Sequence, residues 1–192
     1  SLPKIRESEV LQQTLEKAIE LTRILSDCNQ IPAWVSEVQL LDVMRAAAQS
    51  RMNEFAAAGI KLKVNFDAIS DEATIVSSPY VLEMALGHIL QNALEATHNG
   101  GTVEFGGHVK PNGPIAWLYI RDTGCGISST EQDQVLLPFF TTKKGHDGLG
   151  LTVASRFVEM HGGALRINNL QGKGTEVAIL LPLESRRDTL CP

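Results

Sequence analysis

The residues that could carry chemistry lie mostly in the second half of the chain, where glycines alternate with acidic, amide and basic side chains. Asp122 comes directly before the alternating glycines Gly124 and Gly126, at the end of a predicted strand. Because glycine has no Cβ, the backbone of such a segment can approach a ligand closely or adopt a positive φ. An ordinary β-turn also explains this pattern, so the segment alone does not define a site.

A second segment combines hydroxyl and basic side chains with glycines that open a predicted helix. Its residues are Thr141, Thr142, Lys143, Lys144, Gly148, Leu149, Gly150 and Leu151. Glycines at the start of a helix leave amide groups exposed at the positive end of the helix dipole, which suits phosphate. The two lysines add positive charge just upstream. This segment therefore predicts a phosphate-binding element.

Polar side chains also share one face of an earlier predicted helix. His88, Asn92 and Glu95 recur at i, i+4 and i+7, apart from the apolar stripe of the same helix. Such a group is usually only a solvated surface, and the glycine segments downstream are what favour a site here. The turn at 171–176 brings Thr175 after two further glycines, and a plain turn with a surface lysine explains that segment as well.

The elements that must position these residues alternate between helices and short strands. Periodicity, caps and turn residues predict helices at 38–58, 79–97 and 149–161. They predict strands at 60–66, 73–77, 102–109, 115–121, 164–168 and 175–181, and the Pro-Asn-Gly-Pro turn at 111–114 predicts that the strands on either side of it form a hairpin. This mixed order predicts an α+β, two-layer sandwich with helices on one face of the sheet.

The first thirty residues have a different pattern. Mostly apolar residues recur there at alternating intervals of four and three positions, the pattern of a helix that packs on other helices. They are Leu11, Leu15, Ala18, Thr22 and Leu25. Pro32 marks a hinge. We therefore divide the chain into a helical region at 1–30, a linker at 31–36, a main domain at 37–185 and a tail at 186–192. A docking helix on the main domain is the other interpretation of the first region.

Composition excludes several classes of protein. The chain has 192 residues, 43% of them hydrophobic, and a net charge of -5 without a basic run, which argues against a nucleic-acid partner. Its three cysteines are far apart and show no metal or disulfide spacing, which favours a reducing cytosol. No apolar run approaches the ~20 residues that cross a bilayer, so we expect a cytoplasmic fragment, although its parent could be membrane-anchored.

Five segments in order resemble the N, first glycine, F, second glycine and third glycine boxes of two-component sensor histidine kinases. They are NALEA at 92–96, DTGCG at 122–126, PFFTTK at 138–143, GLGL at 148–151 and GKGT at 172–175. The resemblance covers residues 36–183. The residues of the F box and the segment EMHGG at 159–163 are similar to those of the nitrogen-regulation branch of these kinases. The resemblance implies a mixed sheet of the GHKL ATPase type, the fold shared with gyrase and MutL-type ATPases.

The resemblance also implies ATP and Mg²⁺ as ligands and assigns residues to them. Asn92 would bind Mg²⁺ through its amide oxygen, and Asp122 would accept a hydrogen bond from the adenine amino group. Thr175 would lie near the base, and Lys143 or Lys144 near the phosphates. The remaining residues expected around the nucleotide are Glu95, Gly124, Gly126, Ile127, Thr141, Thr142, Gly148, Leu149, Gly150 and Leu151.

Three positions depart from the family pattern. His88 stands where ATPase relatives carry the glutamate that activates water, so transfer to a separate acceptor is favoured over hydrolysis. A direct catalytic role for His88 and a place at the rim of the pocket both remain open. Glu95 replaces a basic residue that touches phosphate in many of these kinases, and it either reaches Mg²⁺ through water or faces solvent. His146 replaces a glycine, so the lid geometry is expected to differ.

None of the five histidines lies in the family's phosphoacceptor context. We therefore expect residues 2–28 to be the second helix of a dimerisation hairpin whose acceptor histidine lies outside this sequence. The predicted function is in-line transfer of the ATP γ-phosphoryl group to that histidine, with a homodimeric parent and relay to a response regulator receiver domain. An anti-sigma-type serine kinase and a non-catalytic ATP-sensing scaffold are the alternatives.

Overall fold

The computed structural model describes residues 36–110, 113–128, 130–143, 146–171 and 174–184. Within them lie the helices α1 (Leu40–Ala57), α2 (Pro79–Ala96) and α3 (Gly150–Met160). The strands are β1 (Ser36–Gln39), β2 (Lys61–Ala68), β3 (Thr74–Ser77), β4 (Thr102–Val109), β5 (Ile115–Asp122), β6 (Ala164–Asn169) and β7 (Thr175–Pro182). The predicted helical region at 1–30 and the predicted tail at 186–192 lie outside the described residues.

Five strands form one mixed sheet in the order β2-β4-β5-β7-β6. β2 runs parallel to β4, and every other neighbouring pair in this sheet is antiparallel. β4 and β5 form the hairpin that the turn at 111–114 predicts, with Val103 opposite Asp122. This register places Asp122 at one end of the sheet, where β5 leads into the long connection to α3.

The three helices pack on one face of this sheet, with α2 between α1 and α3. Strand residues of alternate positions, such as Val103, Phe105, Leu118 and Ile120, are buried because they point into this layer. The helices contribute their apolar stripes, including the fully buried Leu86 of α2. The predicted two-layer α+β sandwich is confirmed.

The first helix begins later than its sequence pattern predicts. Residues 38 and 39 fall in β1, which pairs antiparallel with β3, and the backbone N–H of Leu40 donates to the carbonyl of Ala73 at 2.9 Å. The predicted helix start at Val38 is therefore wrong, and Ser36, assigned to the linker, belongs to this strand. Pairing with a distant strand satisfies the backbone groups of residues that would otherwise extend the helix.

The connection between β5 and α3 contains turns but neither helix nor strand in its described residues. Phe139 within it has a φ of 66°, a conformation that costs a side-chain-bearing residue energy, and its N–H donates to the carbonyl of Gly148 at 3.0 Å. This bond closes the base of the segment 140–147, which we call the lid segment. Among the helices described here, none combines the length and apolar character needed to cross a membrane.

Candidate functional site

A cavity of about 510 Å³ lies between α2, the end of β5, the lid segment and the start of α3. The predicted site residues that line it are His88, Asn92, Glu95, Asp122, Gly126, Ile127, Thr141, Thr142, Lys143, Gly148, Leu149, Gly150, Leu151 and Thr175. Gly124 does not line the cavity, and Lys144 lies outside the described residues. The fold thus brings together residues from four separate stretches of the sequence.

Asp122 is a buried carboxylate in this cavity, with 5% of its surface exposed. Its Oδ1 accepts hydrogen bonds from the backbone N–H of Gly124 at 2.8 Å and of Thr175 at 3.2 Å. Burial raises the pKa of this carboxyl above its ordinary value, and the two amides together with the charge of Lys143 counter only part of that rise. Both amides bind the same oxygen, and no hydrogen bond from the described residues reaches Oδ2, which leaves it as an acceptor for a ligand.

Two glycines allow the backbone to pass close to Asp122. A Cβ on Gly124 would overlap the carbonyl oxygen of Ala96 at the end of α2. Gly174 has a φ of 110°, and a Cβ there would overlap the carbonyl oxygen of Asp122 itself. The absence of side chains at these positions therefore decides how closely β5, β7 and α2 converge around the carboxylate.

Asn169, at the end of β6, is a residue of this region that sequence reasoning missed. Its side-chain Oδ1 accepts from the backbone N–H of Ile127 at 2.9 Å, and its Nδ2 donates to the carbonyl of Ile127 at 2.6 Å. The predicted strand ended one residue too early, at Asn168. The sequence signal that could have identified Asn169 was its amide side chain next to a glycine turn, because asparagine often hydrogen-bonds to backbone groups.

Polar and charged groups from α2 and the lid segment meet in another part of the cavity. Lys143 Nζ lies 2.7 Å from Glu95 Oε2, and His146 Nδ1 lies 3.6 Å from the same oxygen. Gln91 Nε2 donates to Glu95 Oε1 at 2.8 Å. Burial raises the pKa of Glu95, but the hydrogen bonds from Lys143 and Gln91 and the charge of Lys143 outweigh it, so the pKa lies below its ordinary value. Of the two alternatives left open for Glu95, the one in which it simply faces solvent does not hold, because its side chain is 17% exposed and pairs with Lys143.

The start of α3 adjoins the polar face of α2. A Cβ on Gly150 would lie 3.5 Å from Asn92 Nδ2 and 3.5 Å from His88 Nδ1, so the first helical residue faces both side chains. Leu149, at the N-cap position, makes no side-chain cap. The first amides of α3 and the positive end of its dipole thus lie close to Asn92, an arrangement that favours anions.

Comparison with known proteins places this cavity in a family. Residues 78–185 match the family model described as histidine kinase-, DNA gyrase B- and HSP90-like ATPase, and this range contains the predicted site. The sensor histidine kinase ZraS of Salmonella typhimurium is 29% identical over 187 residues, 94% of this chain and 39% of that protein. The signal transduction histidine-protein kinase AtoS of Escherichia coli is 32% identical over 128 residues, 66% of this chain and 21% of that protein.

Solved structures share the fold. The mycobacterial sensor histidine kinase MprB is 26% identical with a TM-score of 0.67, covering 78% of this chain and 98% of that one. The catalytic domain of histidine kinase ThkA has a TM-score of 0.69 at 21% identity, covering 77% and 95%. The present chain spans 39% of the length of ZraS and less of AtoS.

These findings confirm the resemblance drawn from the five boxes and the fold it implies. The assignment to the nitrogen-regulation branch and the individual ligand roles stay predictions. The family model covers more than half of the chain, and the buried carboxylate, the glycines around it and the asparagine of α2 lie within the matched range. The chain therefore belongs to the family of histidine kinase-, DNA gyrase B- and HSP90-like ATPases.

Proposed function

We propose that this chain binds Mg²⁺-ATP and, within a longer parent protein, transfers the γ-phosphoryl group to a histidine that lies outside this sequence. The observation that carries the proposal is that one cavity holds a buried carboxylate suited to adenine together with amide, ammonium and helix-terminal groups suited to phosphate. The names of the relatives, which are sensor histidine kinases, support the same conclusion.

Adenine recognition rests on Asp122. The remaining acceptor capacity of its carboxylate matches the exocyclic amino group of adenine, whereas guanine carries an acceptor at that position and would be repelled. The amides of Gly124 and Thr175 orient the carboxylate. Thr175 is itself buried and bound to this carboxylate through its backbone N–H, which supports a role for its hydroxyl in reaching the base directly or through water.

Phosphate binding rests on the lid segment and the start of α3. Lys143 carries the mobile positive charge, and the amides of Gly148 and Gly150 lie where the helix dipole favours anions. No cluster of three His, Cys, Asp or Glu side chains that could hold a metal occurs in the described part of the chain. This fits Mg²⁺, which binds through one or two protein oxygens plus phosphates and water.

Asn92 would supply one oxygen to Mg²⁺, and Glu95, one helical turn away, could supply a second through water. When bound, Mg²⁺ neutralises charge on the phosphates. In the transfer, a ring nitrogen of the acceptor histidine forms a bond to the γ-phosphorus. The bond from that phosphorus to the bridging oxygen breaks, and its electron pair leaves with ADP. The role of this domain is to position the phosphoryl group and to stabilise its charge.

The residue at position 88 supports transfer rather than hydrolysis. His88 lines the cavity and adjoins Gly150, but it is not the carboxylate that would activate water in ATPase relatives. We assign the phosphohistidine of the parent to the other helix of the hairpin to which the helical region at 1–30 would belong, and this hairpin would also form a cytoplasmic homodimer. The next acceptor would be an aspartate of a response regulator receiver domain.

Calorimetric titration with the β,γ-imido analogue of ATP tests the pocket. We expect wild-type binding to strengthen with Mg²⁺, to be lost in Asp122→Asn, and to lose its Mg²⁺ dependence in Asn92→Ala. Asp67→Asn and Asn65→Ala, on β2 away from the cavity, are the matched controls. Absence of binding by the wild-type chain would refute the proposal.

The transfer itself is tested in the full-length parent with ATP labelled at the γ position. Phosphohistidine has a P–N bond that acid cleaves, so we expect label that is lost in acid and retained in base, and no label in the Asn92→Ala parent. Acid-stable label would indicate a serine kinase. Binding without any protein label would indicate an ATP-sensing scaffold.

A further inference from the structure

Glu95 connects three elements around the cavity. Its Oε2 lies 2.7 Å from Lys143 Nζ in the lid segment, and its Oε1 accepts from Gln91 at 2.8 Å. The Oε1 of Gln91 in turn accepts from Arg51 Nη1 of α1 at 3.2 Å. The carboxylate is therefore held in one orientation by α2 and α1 while it binds the lysine of the lid segment.

The location of this pair makes it stronger than an ordinary surface ion pair. The side chain of Glu95 is 17% exposed and that of Lys143 is 34% exposed, so solvent screens the pair only partly. Charge-assisted hydrogen bonds at this distance are among the strong ones in proteins. The lysine expected to meet the phosphates is thus already bound to a carboxylate in the nucleotide-free protein.

Moving Lys143 from Glu95 to a phosphate would cost electrostatic free energy. It would leave the carboxylate without its cation and close to a polyphosphate of the same charge, and uncompensated partly buried charges are costly. A divalent cation removes the penalty because it lies between the two anions. Asn92, the expected Mg²⁺ ligand, precedes Glu95 by three residues on the same face of α2, so a cation there would lie within reach of Glu95.

We propose that Glu95 is a positioning residue that tethers Lys143 to α2 in the nucleotide-free protein and releases it to the phosphates only when a divalent cation accompanies them. The second part of this inference, the release of Lys143 to the phosphates, rests on the proposed function. The tether itself is a property of the free protein. Glu95 thereby selects the metal complex of the nucleotide over the free polyphosphate.

The test compares Glu95→Gln with Glu131→Gln. The first keeps the shape of the side chain and its bond to Gln91 but removes the ion pair with Lys143. The second removes a carboxylate that also lines the cavity, one that binds the Oγ of Ser128 at 2.6 Å instead. Any effect of Glu95→Gln that Glu131→Gln does not share therefore reports the contacts of Glu95 with Lys143 and His146, and combination with Lys143→Gln separates the two.

Binding of the β,γ-imido ATP analogue is measured with EDTA and with Mg²⁺. In EDTA we expect Glu95→Gln to bind about tenfold tighter than wild type, because Lys143 no longer has to leave a partly buried ion pair to reach the phosphates. In Mg²⁺ the two should agree within about threefold, and adenosine should bind both alike. Equal changes with and without Mg²⁺, or weaker binding by the variant in EDTA, would overturn the proposal.

A double-mutant cycle with Lys143→Gln separates the effect of the Glu95–Lys143 ion pair from the general effect of a negative charge at position 95. In the Lys143→Gln background we expect Glu95→Gln to change affinity no more than Glu131→Gln does, because the pair is already broken. Fully additive effects would show that Glu95 acts only as a negative charge and would overturn its role through Lys143.

Hydrogen exchange in the absence of nucleotide tests the tether independently of binding. We expect the peptide over 137–151 to exchange about tenfold faster in Glu95→Gln than in wild type or Glu131→Gln, because the lid segment loses its link to α2. Unchanged exchange would overturn the tether. Faster exchange in a protein whose wild type binds no nucleotide would support the tether while refuting the proposed function.

Discussion

The side-chain amide of Asn169 binds both backbone polar groups of Ile127, at 2.9 Å to the N–H and 2.6 Å to the carbonyl. These two residues are 42 positions apart in the chain. The clamp ties the end of β6 to the loop that follows Asp122, and Ile127 lines the cavity. The position of that loop beside the expected adenine site is therefore fixed by Asn169, a residue outside the loop.

Replacing Asn169 should loosen the adenine side of the cavity. Asn169→Ala removes two hydrogen bonds, each worth about 0.5–1.5 kcal/mol, and should weaken binding of the ATP analogue about five- to tenfold. The neighbouring Asn168→Ala, also on the exposed part of β6, should change binding by less than about twofold. Calorimetric titration measures both. Equal effects of the two substitutions would contradict a clamping role for Asn169.

Asp122→Asn should stabilise the fold while it abolishes nucleotide binding. The amide keeps an oxygen for the N–H groups of Gly124 and Thr175 and removes a buried charge. The pKa of Asp122 is raised in the folded protein, chiefly by burial. Its contribution to stability is thus fully present below its ordinary pKa of 3.8 and is lost as the pH rises through the higher folded value.

The difference in melting temperature between Asp122→Asn and wild type should therefore grow from about pH 3 toward neutrality. Thermal unfolding followed by circular dichroism at several pH values measures it. Asp67→Asn, at an exposed position of β2, is the control and should change the free energy of unfolding by less than about 0.5 kcal/mol. A difference that shrinks as the pH rises would show that burial does not dominate at Asp122.

Gly174→Ala should be much more damaging than Gly100→Ala. Both glycines have a positive φ, which costs an alanine about 1–2 kcal/mol. At Gly100 nothing lies near the added Cβ, whereas at Gly174 the Cβ would overlap the carbonyl of Asp122 and add about 1–3 kcal/mol of steric strain. Urea unfolding gives the two free energies. Losses of the same size would mean that β5 and β7 separate easily at this point.

Phe105→Ala tests the packing between the sheet and the helices. Phe105 on β4 is fully buried and meets the ring of Phe66 edge to face at 5.1 Å. Its removal should lower the free energy of unfolding by about 3–5 kcal/mol. Val64→Ala, on β2 at a position that is 51% exposed, should cost less than about 1 kcal/mol, and urea denaturation compares them. Similar losses in the free energy of unfolding would contradict a core that lies between the helices and one face of the sheet.

Much of this fold could be predicted from local patterns. Apolar periodicity located α2 to within a residue, and the turn at 111–114 predicted the hairpin of β4 and β5. The glycine segments identified the family because their side chains and spacing act locally, through close backbone approach and helix termini. Most of the predicted residues then met around one cavity, since the family pattern encodes a common arrangement of strands and helices.

Other features depended on contacts between distant parts of the chain. β1 is a strand only because β3 pairs with it, and by its own sequence the segment also fitted the start of a helix. The parallel pairing of β2 with β4 and the clamp of Asn169 likewise involve residues that no short window contains.

By itself the sequence determined the family, the order of the elements and the residue types of the site. The tertiary structure decided which charges meet there. Glu95 and Lys143 are 48 positions apart, and the sequence pattern alone left Glu95 between solvent and metal. The physical reason is that short-range periodicity specifies which face of an element is polar, whereas ion pairing depends on which elements the fold places opposite that face.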